Sequence, residues 1–396
     1  MKKKWIIIFL FLMLLGTQTA FAKDDEPEIV SETAIVMETE TGAILYEKNA
    51  NTKMYPASLT KIATAIYAIE NGNLNDVVTI SKEAVDVEGT KVYLEEGEQV
   101  TLKKLVQGML INSGNDAAKA IAIHLEGNEE NFAKKLNAYM RNEIKVTETH
   151  FTNPHGLFSE EHYTTAKDMA IITNYAMRNA TFAEVFGTVE LKWDGESWDT
   201  TLLSHHQLLT GQRPYEWITG GKTGFVSESK QTLASTADNG KLTLTAIVMK
   251  ADFKRDIYKD TKTIFDYSFS HYENKELVPE PEYFVGEKVF QPTENSYKVT
   301  LPIEGFKENL NNQGVLEIVD HNDKVIQKIN LEREQLKQEV ANHHTINEAS
   351  DYTEKENTSL FFYIVIGIGA IILIMLFLFI NKKRKRNRYD IPNRRW

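Results

Sequence analysis

Apolar and polar positions follow three rhythms along this chain, and each predicts a different kind of element. Two stretches are apolar without interruption: Trp5–Leu15, which follows Lys2-Lys3-Lys4, and Leu360–Ile380, 21 residues without a charge. Between them the helical and strand periods alternate. Ala34–Tyr46 predicts two strands joined by a turn at Thr41-Gly42. Pro56 starts a helix that runs to about Asn71, with Ile62, Ala65, Ile66 and Ile69 on one face. Further helices are predicted over Leu102–Leu110, Asp116–Leu125, Asn131–Glu143 and Thr165–Arg178. Gln231–Ala237 and Leu242–Met249 alternate on a period of two around Asp238-Asn239-Gly240, a hairpin signal. Asp256–Phe269 reads as a long amphipathic helix. Strands at both ends with helices inserted between predict an α+β domain on one mainly antiparallel sheet.

Around Leu277-Val278-Pro279-Glu280-Pro281 the texture changes. Short strand-like runs follow at Glu287–Phe290, Tyr297–Leu301, Val315–Val319 and Val325–Leu331, the pattern of a small all-β domain. The predicted organisation is a signal peptide over 1–22, a main domain over 23–277, the β domain over 278–340, a polar tether over 341–359, a membrane helix over 360–380 and a basic tail over 381–396. The charged start, short apolar core and Ala20-Phe21-Ala22 exit carry the signal-peptide reading, with cleavage after Ala22. At about 1.5 Å per residue, the 21 residues of the second run span about 31 Å as a helix, the thickness of a bilayer core.

Charge sharpens this reading. The whole chain carries −11, yet residues 1–22 carry +3 and residues 381–396 carry +7, which leaves −21 on the body. The basic cluster Lys382-Lys383-Arg384-Lys385-Arg386 directly after the second run predicts a cytoplasmic tail and an extracellular body, a single-pass protein of the cell membrane. An acidic body argues against nucleic acid as a partner. The absence of cysteine excludes disulfides, thiolate nucleophiles and cysteine metal sites. His205-His206 and His343-His344 are adjacent pairs without a third ligand at suitable spacing, so neither a metal nor another cofactor is expected.

Three short motifs carry the candidate chemistry. Ser58-Leu59-Thr60-Lys61 is S-x-x-K, Ser113-Gly114-Asn115 is S-x-N, and Lys222-Thr223-Gly224 is K-T-G. Ser58 falls at a helix start, where free backbone N–H groups favour negative charge on its oxygen. Lys61 lies three residues on, hence on the same helical face. A lysine kept from water and near another cation loses its proton more easily and can then activate Ser58. Ser113 can relay a proton to a leaving amine, and Asn115 offers a donor and an acceptor to a substrate amide. Lys222 and Thr223 suit a substrate carboxylate, while Gly224 lets an extended peptide approach what reads as an edge strand. The N–H groups of Ser58 and Phe225 are the candidate oxyanion hole. Each motif alone is weak; all three in this order, on helix, loop and strand, are specific.

With these motifs the sequence resembles the low-molecular-weight penicillin-binding proteins, specifically the serine-type D-alanyl-D-alanine carboxypeptidases. The likeness extends over Tyr55–Ala65, Leu110–Ala118, Thr152–Leu157 with His162, Tyr163 and Asp168, and Gly221–Phe225, and covers about residues 34–270. It implies the fold shared with serine β-lactamases, a five-stranded antiparallel sheet with a helical cluster, here followed by the small all-β domain and the C-terminal membrane helix. It also implies removal of the last D-alanine from peptidoglycan stem peptides ending in D-Ala-D-Ala, and covalent inhibition by β-lactam antibiotics. Ser58 would be the nucleophile, Lys61 its base and Ser113 a proton relay. Asn115, Lys222, Thr223, Gly224 and Phe225 would hold substrate. Arg255 stands where the family often places another carboxylate-binding arginine. The sequence departs from the family after Phe225, where Val226-Ser227-Glu228-Ser229-Lys230-Gln231 replaces the usual threonine and small pair. That departure bears on substrate preference or turnover and leaves Ser58 and Lys61 untouched.

Other polar residues have plainer readings. Asp168 reads as a helix-stabilising acid and His155 as a turn residue with no acidic partner placed by sequence. Trp193, Trp198 and Trp217 read as packing residues. Two rival functions share the motifs. A class A-like β-lactamase needs a second base, commonly in E-x-x-x-N, and that pattern is absent between Asn115 and Lys222. A peptide-binding scaffold would have no need of Ser58 and Lys61.

Overall fold

A computed structural model describes residues 26–333 of the protein. The expected signal peptide, tether, membrane helix and basic tail lie outside the described residues. Among the described residues no helix is long and apolar enough to cross a membrane.

In chain order the main body comprises β1 (Thr33–Glu38), β2 (Ile44–Lys48), α1 (Thr60–Asn71), β3 (Val77–Thr79), α2 (Lys82–Val85), β4 (Gln99–Thr101), α3 (Leu102–Ile111) and α4 (Asn115–Glu126). There follow α5 (Glu129–Tyr139), α6 (Ala166–Met177), α7 (Ala180–Phe186), β5 (Glu190–Asp194), β6 (Asp199–Leu203), β7 (Ile218–Val226), β8 (Lys230–Asp238), β9 (Thr243–Ala251) and α8 (Lys254–His271). Five strands form one sheet in the order β2-β1-β9-β8-β7, antiparallel throughout. This is the α+β architecture that the strand and helix rhythms predict.

All six residues of β1 are buried, which requires cover on both faces of the sheet. Alternation assigns the faces. Ile35 and Met37 join the apolar cluster of α1, α3, α4 and α6, whereas Ala34 and Val36 join that of α8. Helix α1 runs through the larger cluster. Thr60 to Ala68 are all buried, and a helix apolar on every side belongs inside. Lys61 is carried into that interior by its neighbours rather than by its own chemistry.

β7 lies at one edge of the sheet and pairs only with β8. An edge strand leaves alternate N–H and C=O groups unpaired by the sheet. Those of β7 line a cleft whose opposite wall is the turn preceding α1.

After α8 the chain turns to short strands. β10 (Tyr272–Leu277) continues directly from the helix, followed by β11 (Tyr283–Val285), β12 (Lys288–Gln291), β13 (Tyr297–Pro302), β14 (Lys307–Leu310), β15 (Val315–Val319), β16 (Val325–Asn330) and β17 (Glu332–Arg333). Phe290, Val299, Leu316, Ile318 and Ile329 form their separate apolar cluster. Polar contacts fasten this region to the β1–β2 turn: Thr41 Oγ1 lies 2.7 Å from Thr300 Oγ1, and Asn274 Nδ2 donates to Glu38 Oε1 at 3.0 Å.

Candidate active site

Pro56 caps a single 3₁₀ turn, Ala57–Leu59, and α1 follows from Thr60. Ala57 has φ +48°, an unfavourable value for a residue with a Cβ. The loop 153–157 presses on it from outside. Gly156, at φ +89°, stands so close that a Cβ there would overlap the Ala57 carbonyl. The strained turn leaves Ser58 half-buried and open to the cleft, with its backbone N–H facing β7. A Cβ on Gly224 would sit 2.9 Å from that nitrogen, so only glycine permits this approach.

One helical turn on, Lys61 is fully buried. Its Nζ lies 2.9 Å from Ser58 Oγ, 2.8 Å from Asn115 Oδ1 and 2.6 Å from the His155 carbonyl oxygen. Burial lowers the Lys61 pKa well below the ordinary lysine value, the charge of Lys222 lowers it further, and Asp116 offsets part of this. A neutral amine has two hydrogens and one lone pair. The amide oxygen of Asn115 and the carbonyl of His155 can only accept, so they take both hydrogens. The lone pair is then left for the Ser58 hydroxyl.

Ser113 stands in the loop between α3 and α4 at φ +63°. It donates to Ser58 Oγ at 3.1 Å and accepts from Lys222 Nζ at 2.9 Å. Lys222 also donates to the Thr223 carbonyl at 2.9 Å. Burial brings the Lys222 pKa down to about 7. Lys61, Ser58, Ser113 and Lys222 therefore form one continuous polar chain drawn from α1 and the turn before it, a loop and β7. Asp116 anchors the loop, accepting from the N–H groups of Val92 at 3.0 Å and Leu94 at 3.1 Å.

The remaining candidates differ in placement. Asn115 is buried and already engaged on both sides, since its Nδ2 donates to the Glu88 carbonyl at 2.6 Å. It holds Lys61 as much as it could hold a substrate. Thr223 is half-buried beside Lys222, and Phe225 is exposed at the open side of β7. Arg255 stands exposed in the first turn of α8, bonded to Asp256 at 3.1 Å and stacked near the Phe253 ring. No contact among the described residues joins it to the lysine cluster.

Several contributors escape a reading from sequence. His155 supports the base through its backbone carbonyl, which leaves no side-chain signature. Its ring has an acidic neighbour after all: Nε2 is 3.1 Å from Glu129 Oε1. His162 is buried and within 2.8 Å of Thr60 Oγ1, and burial holds it neutral by lowering its pKa to about 3. Asp168 sits in the first turn of α6 and also accepts from Glu148 N–H and Thr149 Oγ1, tying down a loop. His206 Nε2 lies 2.8 Å from Ser235 Oγ beneath β7. Trp193 is fully buried, and Trp198 donates to the Val92 carbonyl at 3.1 Å.

Comparison with known proteins leads to the same place. A family model described as D-alanyl-D-alanine carboxypeptidase matches residues 19–253. D-alanyl-D-alanine carboxypeptidase DacF of Bacillus subtilis is 34% identical over 292 residues, 70% of this chain and 73% of that one. DacA of Haemophilus influenzae is 28% identical over 301 residues, covering 71% and 72%. The crystal structure of a D-alanyl-D-alanine carboxypeptidase from Mycobacterium tuberculosis matches at TM-score 0.58 and 28% identity, over 62% of this chain and 92% of that one. DacD from Francisella tularensis, at 21% identity, shares the fold with TM-score 0.66 over 81% of this chain and 98% of its own. The protein with this lysine-serine chain belongs to the D-alanyl-D-alanine carboxypeptidase family.

Proposed function

We infer that the protein is a serine-type carboxypeptidase that removes the terminal D-alanine from peptidoglycan peptides ending in D-Ala-D-Ala, through an acyl-enzyme. The observation that carries this is the fully buried Lys61, whose Nζ lies 2.9 Å from Ser58 Oγ while its two other partners, the Asn115 amide oxygen and the His155 carbonyl, can only accept. Lys61 takes the Ser58 proton as Oγ attacks the carbonyl between the two D-alanines. The developing oxyanion lies between the N–H groups of Ser58 and Phe225. Lys222 and Thr223 hold the terminal carboxylate, and Ser113 passes a proton to the departing amine. Water then attacks the ester, with Lys61 again as base, and frees the shortened peptide.

A β-lactam presents the same carbonyl and carboxylate and acylates Ser58 in the same way. With no E-x-x-x-N between Asn115 and Lys222 to supply a second base, the penicilloyl ester persists. This favours the peptidase over the β-lactamase reading. We propose further that residues 1–22 direct export and that 360–380 span the cell membrane, with the catalytic body outside. The 21-residue uncharged run and the basic cluster after it support that placement. We also read Arg255 as a second contact for the substrate carboxylate.

The test is release of D-alanine from a D-Ala-D-Ala-ended tripeptide, together with mass analysis after penicillin treatment. Ser58→Ala is expected to abolish both D-alanine release and the penicilloyl adduct. Survival of either means that Ser58 is not the nucleophile.

A further inference from the structure

The carbonyl that takes one hydrogen of Lys61 belongs to a turn, 153–157, tied from several sides. Asn153 Oδ1 accepts from the N–H groups of His155 at 3.3 Å and Gly156 at 2.7 Å, and its Nδ2 donates to the Leu157 carbonyl at 2.9 Å. Thr64 Oγ1, from α1, donates to the Pro154 carbonyl at 2.7 Å. The His155 ring makes a further tie, because the Leu157 N–H donates to its Nδ1 at 3.2 Å. Burial lowers the His155 pKa and Glu129 offsets part of this, so the ring is neutral at pH 7. A ring nitrogen that accepts carries no hydrogen, and the single ring hydrogen therefore sits on Nε2.

That hydrogen is out of reach of water, since His155 is buried. Its neighbour is Oε1 of Glu129, the first residue of α5, at 3.1 Å. The oxygen is itself shut off from solvent, with no other partner among the described residues. Lys119, on α4, holds the second carboxylate oxygen at 3.1 Å. Burial pushes the Glu129 carboxyl up, but His155 and Lys119 together outweigh it and keep the group below its ordinary value. An ionised acceptor therefore faces the ring hydrogen. Without it the buried Nε2–H is unpaired. The ring can then turn towards water or move its hydrogen to Nδ1, where it meets the Leu157 N–H donor. Either change breaks the tie to Leu157 and frees the turn that carries the His155 carbonyl.

We propose that Glu129 is a positioning residue for the general base, fixing the His155 ring and, through it, the carbonyl that takes one hydrogen of Lys61. The inference rests on the carboxypeptidase reading with Lys61 as base, and it assigns a part in that chemistry to a residue outside the three motifs. Glu129 makes no contact with Ser113, Lys222 or Thr223 among the described residues, so its loss acts on ester formation and leaves ligand binding alone.

Stopped-flow acylation by penicillin on the full chain separates the two, as the limiting rate of ester formation and the dissociation constant of the complex that precedes it. Glu129→Ala is expected to lower the limiting rate about tenfold, the scale of a buried donor left unpaired, with the dissociation constant within about twofold of wild type. Glu129→Gln keeps an acceptor for Nε2–H and should hold the limiting rate within about threefold of wild type. Nitrogen-15 spectra of the wild-type histidine rings, with His155 assigned by comparison with His155→Gln, should show the hydrogen on Nε2. An unchanged limiting rate in Glu129→Ala, equal losses in both variants, or a loss confined to binding overturns the role of Glu129 and leaves the carboxypeptidase intact. If Glu129→Ala does not fold, the Gln variant and the wild-type spectrum decide, and a hydrogen on Nδ1 or a tenfold loss in Glu129→Gln, about the size expected for Ala, overturns the role. A wild type that penicillin does not acylate overturns the carboxypeptidase reading and the role of Glu129 with it.

Discussion

The inner end of the cleft and the charged surface are built on opposite principles. At the inner end, Lys61, Ser113 and Lys222 are buried, and each has a hydrogen-bond partner on another element. At the surface, Lys134 and Glu130 are exposed and pair only across one turn of α5, at 2.7 Å. Desolvation dominates the first, because a charge out of water costs far more than a neighbouring charge adds. Screening dominates the second. Chemistry is thus placed where the dielectric is low and changes are expensive, and unengaged charge where changes are cheap.

Substitutions at the inner end therefore test this contrast most severely. Lys61→Ala is expected to lower the rate of penicillin acylation by about a hundredfold to ten-thousandfold, the range for a lost general base. A loss no greater than that of Lys134→Ala would erase the distinction. Asn115→Ala should come next. It frees one Lys61 hydrogen to turn towards Ser58 and leaves a buried donor without its acceptor, a loss of about tenfold to a hundredfold in acylation, readable by stopped-flow. Gly156→Ala tests the scaffold rather than the chemistry. It places a Cβ against the Ala57 carbonyl in a left-handed backbone conformation, at an expected cost of at least about 2 kcal/mol in unfolding free energy. Unchanged stability there would mean the Ala57 turn does not depend on that loop.

The sequence carried the inner end better than its supports. Ser58 and Lys61 lie three apart in an apolar helix, and that spacing alone places both on one face. The hairpin around Asn239-Gly240 and the long α8 helix follow from their periods as well. What sequence hid is non-local or backbone-borne. The His155 carbonyl has no residue-type signal, and Glu129 reaches His155 only because α5 packs beside the loop. Ser113 and Ala57 at positive φ look like ordinary residues in a list. β3 and β4 have three residues each, too short to show alternation. β10 reads Tyr-Glu-Asn-Lys-Glu-Leu, too polar to announce a strand, and it forms because β13 supplies its partner.

The central claim is that Lys61 rests as a neutral amine against Ser58. Nitrogen-15 NMR of lysine side chains, with Lys61 assigned by comparison with Lys61→Arg, reads this directly. A neutral Lys61 gives an amine-type Nζ shift at pH 7, moving to the ammonium position only on acidification. An ammonium shift that persists at pH 7 and above would contradict it.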